Sequence, residues 1–544
     1  MAVPQLAEAR AAGAAGATPR TRPLTALTRP AGLAVLVMTV VGLMIRILVA
    51  RESLFADELS TYWIVATHGL HQVLSLIYGT APVKHAEITP PLSFVASWLT
   101  VQLGHSPLLL RLPSLIAGTL TIPLVYMLGR RTVGRAPGVV AAALTTVSPF
   151  MIYYSTEARA YAVMMLLVVG STLGMLLAID TGRRRWWMLY AACASLAFWT
   201  HNTCLFVLGA QLLWVLGAHP EVRRPALLAT VGAAVGTLPW LPGFVNELQS
   251  PTLTILSDLS PFSVAAVWEA FTHWTIGYPY GGLARLTQIP GTPALVLLAA
   301  AGLLAAGGWL VRFRGARPRL PGLSSRRRDD RLVLLIILLL VTPVAEGAIS
   351  AVSTHIFGLR NLAASWPELA LVVAAILLSA GSRVGIAVAV MVTTALGLGA
   401  ALMVSARYQR PDYQGAAGFL EASARPGDVV LDETGDLSPG PLTGLDVALT
   451  RPLPIVRAGA PQERDHPFTL RDPYQSVSSA IALAIAQVRP AGRVFVVGGS
   501  SHATSLAAQA TGSPPAAARY RRLQTRRFQF VPVVVYGRPG SSRP

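Results

Sequence analysis

Two adjacent carboxylates, Asp57 and Glu58, follow shortly after the first long apolar run of a chain in which only 13% of residues are charged. Beside a membrane span a carboxylate loses hydration, so something must stabilise it or use it. Other polar groups recur between later apolar runs. Lys84, His85 and Glu87 precede Pro90 and Pro91; the stretch YYSTEARAY supplies Tyr153, Tyr154, Glu157, Arg159 and Tyr161. His201 with Asn202, His273 with Trp274, and His355 with Arg360 complete the set. A carboxylate of this kind can serve as a general base, arginine offers planar forked donors to an oxyanion, and lysine offers a point charge. Plainer readings stand beside these. The acidic pair can cap an interfacial helix through its dipole. Lys84, Arg159 and Arg360 can each anchor to lipid headgroups, and His201 with Asn202 can satisfy a helix end. Trp274, Tyr278 and Tyr280 are aromatic residues of the sort found at any membrane interface.

The elements that must position these groups are membrane helices. With 53% hydrophobic residues over 544 positions and a mean hydropathy of +0.54, the chain is too apolar and too long for one water-soluble core. Apolar runs of the length needed to cross the hydrocarbon layer recur. Helices are expected at approximately 31–50, 107–128, 136–155, 161–180, 186–200, 204–218, 226–243, 292–311, 332–350, 366–381 and 384–403, about eleven in all. The short joins then sort by charge. Arg20, Arg22 and Arg29, Arg130, Arg131 and Arg135, Arg183 through Arg185, Arg223 and Arg224, the segment from Arg312 to Arg331, and Arg383 all fall on one side. By the positive-inside rule that side is the cytoplasm, and every remaining loop faces out. Residues 91–103 are apolar but short for a span, so they are expected to lie in the interface, as are residues 61–78.

Residues 1–30 read as a disordered cytoplasmic tail, and the first span as a retained anchor rather than a signal peptide. Residues 31–404 form the membrane domain, with 51–106 as its first outer loop. The formal charge of +19 does not indicate a nucleic-acid partner, because the arginines cluster between apolar runs. Cys193 and Cys204, the two cysteines, cannot build a disulfide framework or a four-ligand zinc site. After the last span the composition becomes that of a soluble protein. Strand-like runs at DVVLDE, PIVRAG, RVFVVGGS and FVPVVVYG, separated by helical segments near 412–424 and 475–488, predict a small α/β domain over 405–544 on the outer side. The Gly498–Gly499 turn is a weak match to a phosphate loop and reads better as a plain tight turn. No nucleotide is expected.

The order of these motifs resembles the C-type glycosyltransferases. An acidic pair after the first span, a Pro-Pro motif preceded by a glutamate, a Glu-x-Arg-x-Tyr loop after the third span, and an arginine before a Trp-Pro are similar to the bacterial relatives of protein O-mannosyltransferases and of the lipid A aminoarabinose transferase (glycosyltransferase family 39-like). The resemblance extends over residues 30–405 in layout. One departure is that Asn361 follows Arg360 where the family usually has tyrosine. The resemblance implies a polyprenyl-phosphate sugar donor, with mannose first and arabinose second, and a glycan, glycolipid or protein acceptor outside the cytoplasm. Transfer needs a base for the acceptor hydroxyl and cations for the departing phosphate. Asp57 is the candidate base, and Glu58 orients it or binds a sugar hydroxyl. Lys84, Arg159 and Arg360, with Glu157 and Tyr161, are candidates for holding the donor phosphate. His201, His273 and Trp274 are candidates for the sugar or acceptor. Glu87 with His85, joined by His273, could hold a divalent metal, although a solvated histidine is the commoner case. A transporter or flippase of lipid-linked sugars is the rival reading. Transporters tend to place ionisable groups at mid-membrane and to show internal repeats, and this chain shows neither apart from Glu346 near a span end.

Overall fold

The structure is a computed structural model describing residues 30–81, 89–249, 262–277, 290–315, 326–353, 355–405, 410–434, 442–458, 477–498 and 519–538. The membrane part runs α1 Pro30–Ala50, α2 Asp57–Ala66, α3 Leu70–Ile77, α4 Leu92–Val101, α5 Pro107–Arg131, α6 Arg135–Val147, α7 Pro149–Ser155 and α8 Tyr161–Thr181. It continues through α9 Arg184–Phe198, α10 Cys204–Ala218, α11 Arg223–Thr237, α12 Leu241–Leu248, α13 Val264–Thr275, α14 Thr292–Gly315, α15 Arg326–Val352, α16 Trp366–Ser379 and α17 Ser382–Val404. Among the described residues eight helices are long and apolar enough to cross a membrane, and α6 with α7, bent by 60°, make a ninth as one broken span. The bend falls where Ser148 caps α7 and Pro149 occupies its first turn, a position whose missing N–H costs nothing there. The expected eleven is reached only if α9 and α10 also cross. At 15 residues each they extend roughly 22 Å, short of a hydrocarbon core of about 30 Å.

The segment expected as one interfacial helix over 61–78 is instead two, broken at Thr67–Gly69. Ile64, Val65, Val73 and Ile77 are buried in the main core, so this segment packs against protein along one face. The helix within 91–103 is ten residues long, and its Ser97 hydroxyl donates to the Leu110 carbonyl at the start of α5 (3.2 Å).

Several basic joins meet at one end of the bundle. Arg331 donates to the Arg131 carbonyl (2.8 Å) and pairs with Asp180, while Arg312 donates to the Ser379 carbonyl (2.6 Å). Arg131, Asp180 and Ser379 close the C-terminal ends of α5, α8 and α16, whose N-terminal ends carry the polar cluster described below.

Beyond α17 lies a small sheet domain containing α18 Tyr413–Ser423, β1 Val429–Glu433, α19 Gly444–Ala448, β2 Ile455–Arg457, α20 Val477–Gln487, β3 Arg493–Gly498, β4 Arg521–Phe528 and β5 Val531–Gly537. The strand order is β2-β1-β3-β5-β4, parallel for the first three and antiparallel for the β3–β5 and β5–β4 pairs. The four strands expected from apolar runs are present. β4, RRLQTRRF, is an additional edge strand whose arginines are exposed. Val49, Phe55, Ile152, Ala400 and Met403 of the membrane part share one apolar core with Tyr413, Leu420, Phe495 and Val533. The sheet domain is therefore seated on the membrane part, above the loop that carries the acidic pair.

Candidate active site

The loop leaving α1 turns sharply at Ala56, whose φ of 51° lies in the left-handed region, and α2 begins at Asp57. Both carboxylates sit in the first turn, where the helix dipole favours negative charge. Neighbouring residues on a helix do not share a face, so the two side chains diverge into different environments.

Glu58 turns inward and is 1% exposed. Its Oε1 accepts from Arg111 Nε (2.7 Å) and the Ala158 amide (2.9 Å), and its Oε2 from Arg111 Nη2 (2.6 Å) and Arg410 Nη1 (2.8 Å). Arg111 also donates to the carbonyls of Ala50 (2.9 Å), Glu52 (2.5 Å) and Ser53 (2.9 Å), so the loop is folded around its guanidinium. Burial pushes the Glu58 carboxyl up, but Arg111 and Arg410 outweigh it and hold the group below its ordinary value. A carboxylate with four donors and almost no exposure orients this loop and has no lone pair turned to solvent for a sugar hydroxyl.

Asp57 faces the opposite way. Its Oδ2 accepts from Arg360 Nη1 at 2.9 Å, and the two side chains remain 35% and 34% exposed. Burial pushes the carboxyl up, and the charges of Arg159 and Arg360 bring it below the ordinary range. Arg159 is fixed by its own surroundings: its carbonyl accepts from Ser114 (3.0 Å), and its guanidinium donates weakly to Thr61 (3.4 Å) and lies 6.0 Å from the Phe94 ring centre.

Glu157 lies two residues before Arg159 and is 8% exposed. Its Oε1 accepts a long bond from the Tyr153 hydroxyl (3.5 Å), and its buried Oε2 has no hydrogen-bond partner among the described residues. Burial, followed by the negative charges of Glu58 and Asp57, pushes its pKa up to about 7. Tyr161 packs against Tyr154 and His201, with ring centres 5.0 and 5.3 Å apart. His201 Nδ1 contacts the Thr203 hydroxyl (2.9 Å); burial and the charges of Arg360 and Arg159 push its pKa down to about 3, so it is neutral.

The Arg360 segment is held from below. Ser350 accepts from the amides of Ile356 (3.0 Å) and Phe357 (2.8 Å), Glu346 accepts from the Gly358 amide (3.4 Å), and Asn361 donates to the Ile356 carbonyl (2.9 Å). The asparagine that stands where tyrosine was expected thus closes this turn. His273 and Trp274 are buried in α13. The Trp274 indole donates to the Leu362 carbonyl (2.9 Å), and Trp366 donates to the Trp274 carbonyl (3.0 Å), so Trp274 supports the Arg360 segment and its N–H is already engaged.

The structure brings Asp57, Glu58, Glu157, Arg159, Tyr161, His201 and Arg360 into one cluster although they are up to 303 positions apart. Lys84, His85, Glu87, Tyr278 and Tyr280 lie outside the described residues. Among the described residues no three His, Cys, Asp or Glu side chains are grouped to hold a metal ion, and Asp57 faces guanidinium groups. Two residues of the cluster escaped the sequence reading, Arg111 and Arg410. Arg111 had a signal, because an arginine one turn inside an apolar span requires a partner.

Residues 88–242, less than half of the chain, match the family described as dolichyl-phosphate-mannose-protein mannosyltransferase. No curated protein matches in sequence. Among solved structures, ArnT from Cupriavidus metallidurans bound to undecaprenyl phosphate has a TM-score of 0.50 at 14% identity, over 92% of this chain and 97% of that one. The Archaeoglobus fulgidus oligosaccharyltransferase in complex with Zn and sulfate has a TM-score of 0.46 at 13% identity, over 90% of this chain and 71% of that one. The ArnT likeness gives the fold, a C-type glycosyltransferase membrane domain followed by a small sheet domain. The family match bears out the resemblance drawn from the motifs and marks the chain as a glycosyltransferase.

Proposed function

We propose that this enzyme transfers a sugar from a polyprenyl-phosphate donor to an acceptor on the extracytoplasmic side of the membrane, with Asp57 as general base and Arg360 and Arg159 holding the departing phosphate. The observation that carries this reading is the Asp57–Arg360 ion pair, partly exposed and flanked by Arg159. It sets one proton acceptor beside two forked donors, the minimum set for displacement at an anomeric carbon. The match to a family named for dolichyl-phosphate-mannose supports a lipid-phosphate donor and makes mannose the first sugar to try. The positive-inside sorting of the arginine-rich joins supports a cytoplasmic N-terminus and an outer active site.

In the proposed reaction an acceptor hydroxyl attacks the anomeric carbon as the bond from that carbon to the phosphate oxygen breaks. The bonding pair leaves with the phosphate, whose charge the two guanidinium groups take up, and the hydroxyl proton passes to Asp57. One base and no enzyme nucleophile give inversion by direct displacement. The ion pair also sets the order of events. Arg360 and Arg159 hold Asp57 below its ordinary pKa and make it a weak base. An arriving lipid phosphate competes for the same donors, and as it takes them the Asp57 carboxylate regains basicity only when a donor is in place. Neutral His201 and Tyr161 stand near Arg360 and Arg159 without adding charge against the phosphate.

The test is transfer of label from polyprenyl-phosphate mannose to a membrane extract by the purified protein. Label moved by wild type and not by Asp57→Asn supports the reading. If wild type moves label from no polyprenyl donor, the function is wrong; if the variant matches wild type, the base is wrong.

A further inference from the structure

The segment that joins the last span to the sheet domain enters the centre of the acidic cluster. Arg410 buries a guanidinium there with 1% of its side chain exposed, donates from Nη1 to Glu58 Oε2 (2.8 Å), and lies 5.2 Å from the ring centre of Tyr153. Tyr153 in turn donates to Glu157. The backbone around Arg410 is tied to the same loop, with its own amide donating to Glu52 Oε2 (3.0 Å) and the Gln414 amide donating to the Ser53 hydroxyl (3.1 Å). Two residues on, the Asp412 amide donates to the Gln529 carbonyl in the β4–β5 turn (2.9 Å), and its carboxylate caps α18 through the Gly415 amide (2.7 Å). The chain of contacts therefore runs from the sheet domain through Arg410 to the residue next to the proposed base.

We infer that Arg410 is a positioning residue for the transfer reaction, through which the docked sheet domain fixes Glu58 and so aims Asp57. The inference rests on the functional reading above. Glu58 and Glu52 bring two carboxylates into a nearly closed space, and Arg111 supplies only one of the two positive charges needed to balance them. The second comes from beyond the last span, so the catalytic loop reaches its final charge balance only once the sheet domain is seated. Arg410 acts through Glu58, to which its guanidinium donates. Its effect is to keep Glu58 ionised and its helix turn in register, and to place a positive charge near Glu157. The groups facing Glu157 are Asp57 and Glu58 from α2, Tyr153 and Tyr154 from α7, Arg159 from its own loop, Tyr161 from α8, and Arg410. Without Arg410 both glutamates should take up protons at higher pH.

The test compares Arg410→Met and Arg410→Lys with wild type in the full-length detergent-purified protein. It uses labelled polyprenyl-phosphate sugar and records kcat and donor KM across pH, with carboxyl protonation followed by infrared difference spectra. The expected result for Arg410→Met is a fall in kcat of about thirtyfold or more, donor KM within about threefold, and an acid limb moved to higher pH; Arg410→Lys should recover most of kcat. A kcat within about twofold of wild type, a fall with no movement of the acid limb, or equal loss in both variants overturns the assignment. Should Arg410→Met not fold, Arg410→Lys decides alone, because its weaker reach should still displace the acid limb, and an unmoved limb refutes the role. If wild type transfers no sugar, it is the functional reading that fails. Arg410 is then judged on the infrared titration, where an unchanged carboxyl titration in the variants counts against it.

Discussion

Replacing Asp57 by asparagine should slow the enzyme and tighten its grip on the donor at the same time. The substitution keeps the shape and a hydrogen-bonding oxygen for Arg360 but removes the proton acceptor. Loss of a positioned base is worth about 10²- to 10⁴-fold in rate, or roughly 3–5 kcal/mol of barrier. The effect on binding has the opposite sign. In wild type an incoming phosphate must displace a carboxylate that holds Arg360 at 2.9 Å. That pair is about one-third exposed on each side, so solvent screening limits it to about 1 kcal/mol, and removing it should strengthen donor binding roughly fivefold. Single-turnover kinetics with labelled donor, combined with titration of polyprenyl phosphate by tryptophan fluorescence, measure both. A kcat within tenfold of wild type, or donor binding that weakens in the variant, rules out Asp57 as the base that a donor phosphate displaces, because a residue that merely anchors Arg360 would lose affinity when removed.

Three other substitutions probe the supports of the site. Arg111→Met leaves the buried Glu58 with one guanidinium in place of two and should cost about 3 kcal/mol of stability, seen as a lower melting temperature in detergent; an unchanged melt contradicts the role given to that pair. Glu157 has an ordinary pKa of 4.5 raised to about 7, so its contribution to stability is full below 4.5 and is lost as pH rises through 7, by roughly 3 kcal/mol. Glu157→Gln should therefore stabilise the protein more at pH 8 than at pH 5, and equal gains at both would show that Glu157 is not buried as a neutral acid. Glu346→Ala removes the acceptor beneath Gly358, and donor affinity should fall about tenfold as the Arg360 segment loosens, whereas affinity equal to wild type would mean the segment is held without it.

The membrane architecture was legible because its signal is physical and local. Apolar runs of span length and arginine-rich joins depend on composition alone, and so did the polar cluster, since charged groups are scarce enough in this chain for their positions to stand out. The partners within that cluster were not legible. Glu58 reads the same in sequence whether it binds a sugar or is saturated by Arg111 and Arg410, because those residues come from 53 and 352 positions away. Arg111 stood inside an apolar run, where the cost of an unpaired charge was the available clue. Arg410 stood in a linker, where an arginine carries no such clue. Arg46, buried in the first span and donating to the carbonyls of Gly42, Thr145 and Thr146, belongs with Arg111 as a span arginine whose partner only the fold supplies. The β4 strand was missed because RRLQTRRF lies at the sheet edge and buries little, so the apolar alternation that revealed the other strands is absent.

The mechanism turns on a lipid phosphate exchanging with Asp57 for Arg360 and Arg159. The most direct measurement is a structure of the enzyme with polyprenyl phosphate bound in a lipid nanodisc. The expected result is the phosphate bridging the two guanidinium groups, with Asp57 released from Arg360 and turned toward the acceptor side. A phosphate seated elsewhere, with the Asp57–Arg360 pair intact, contradicts it.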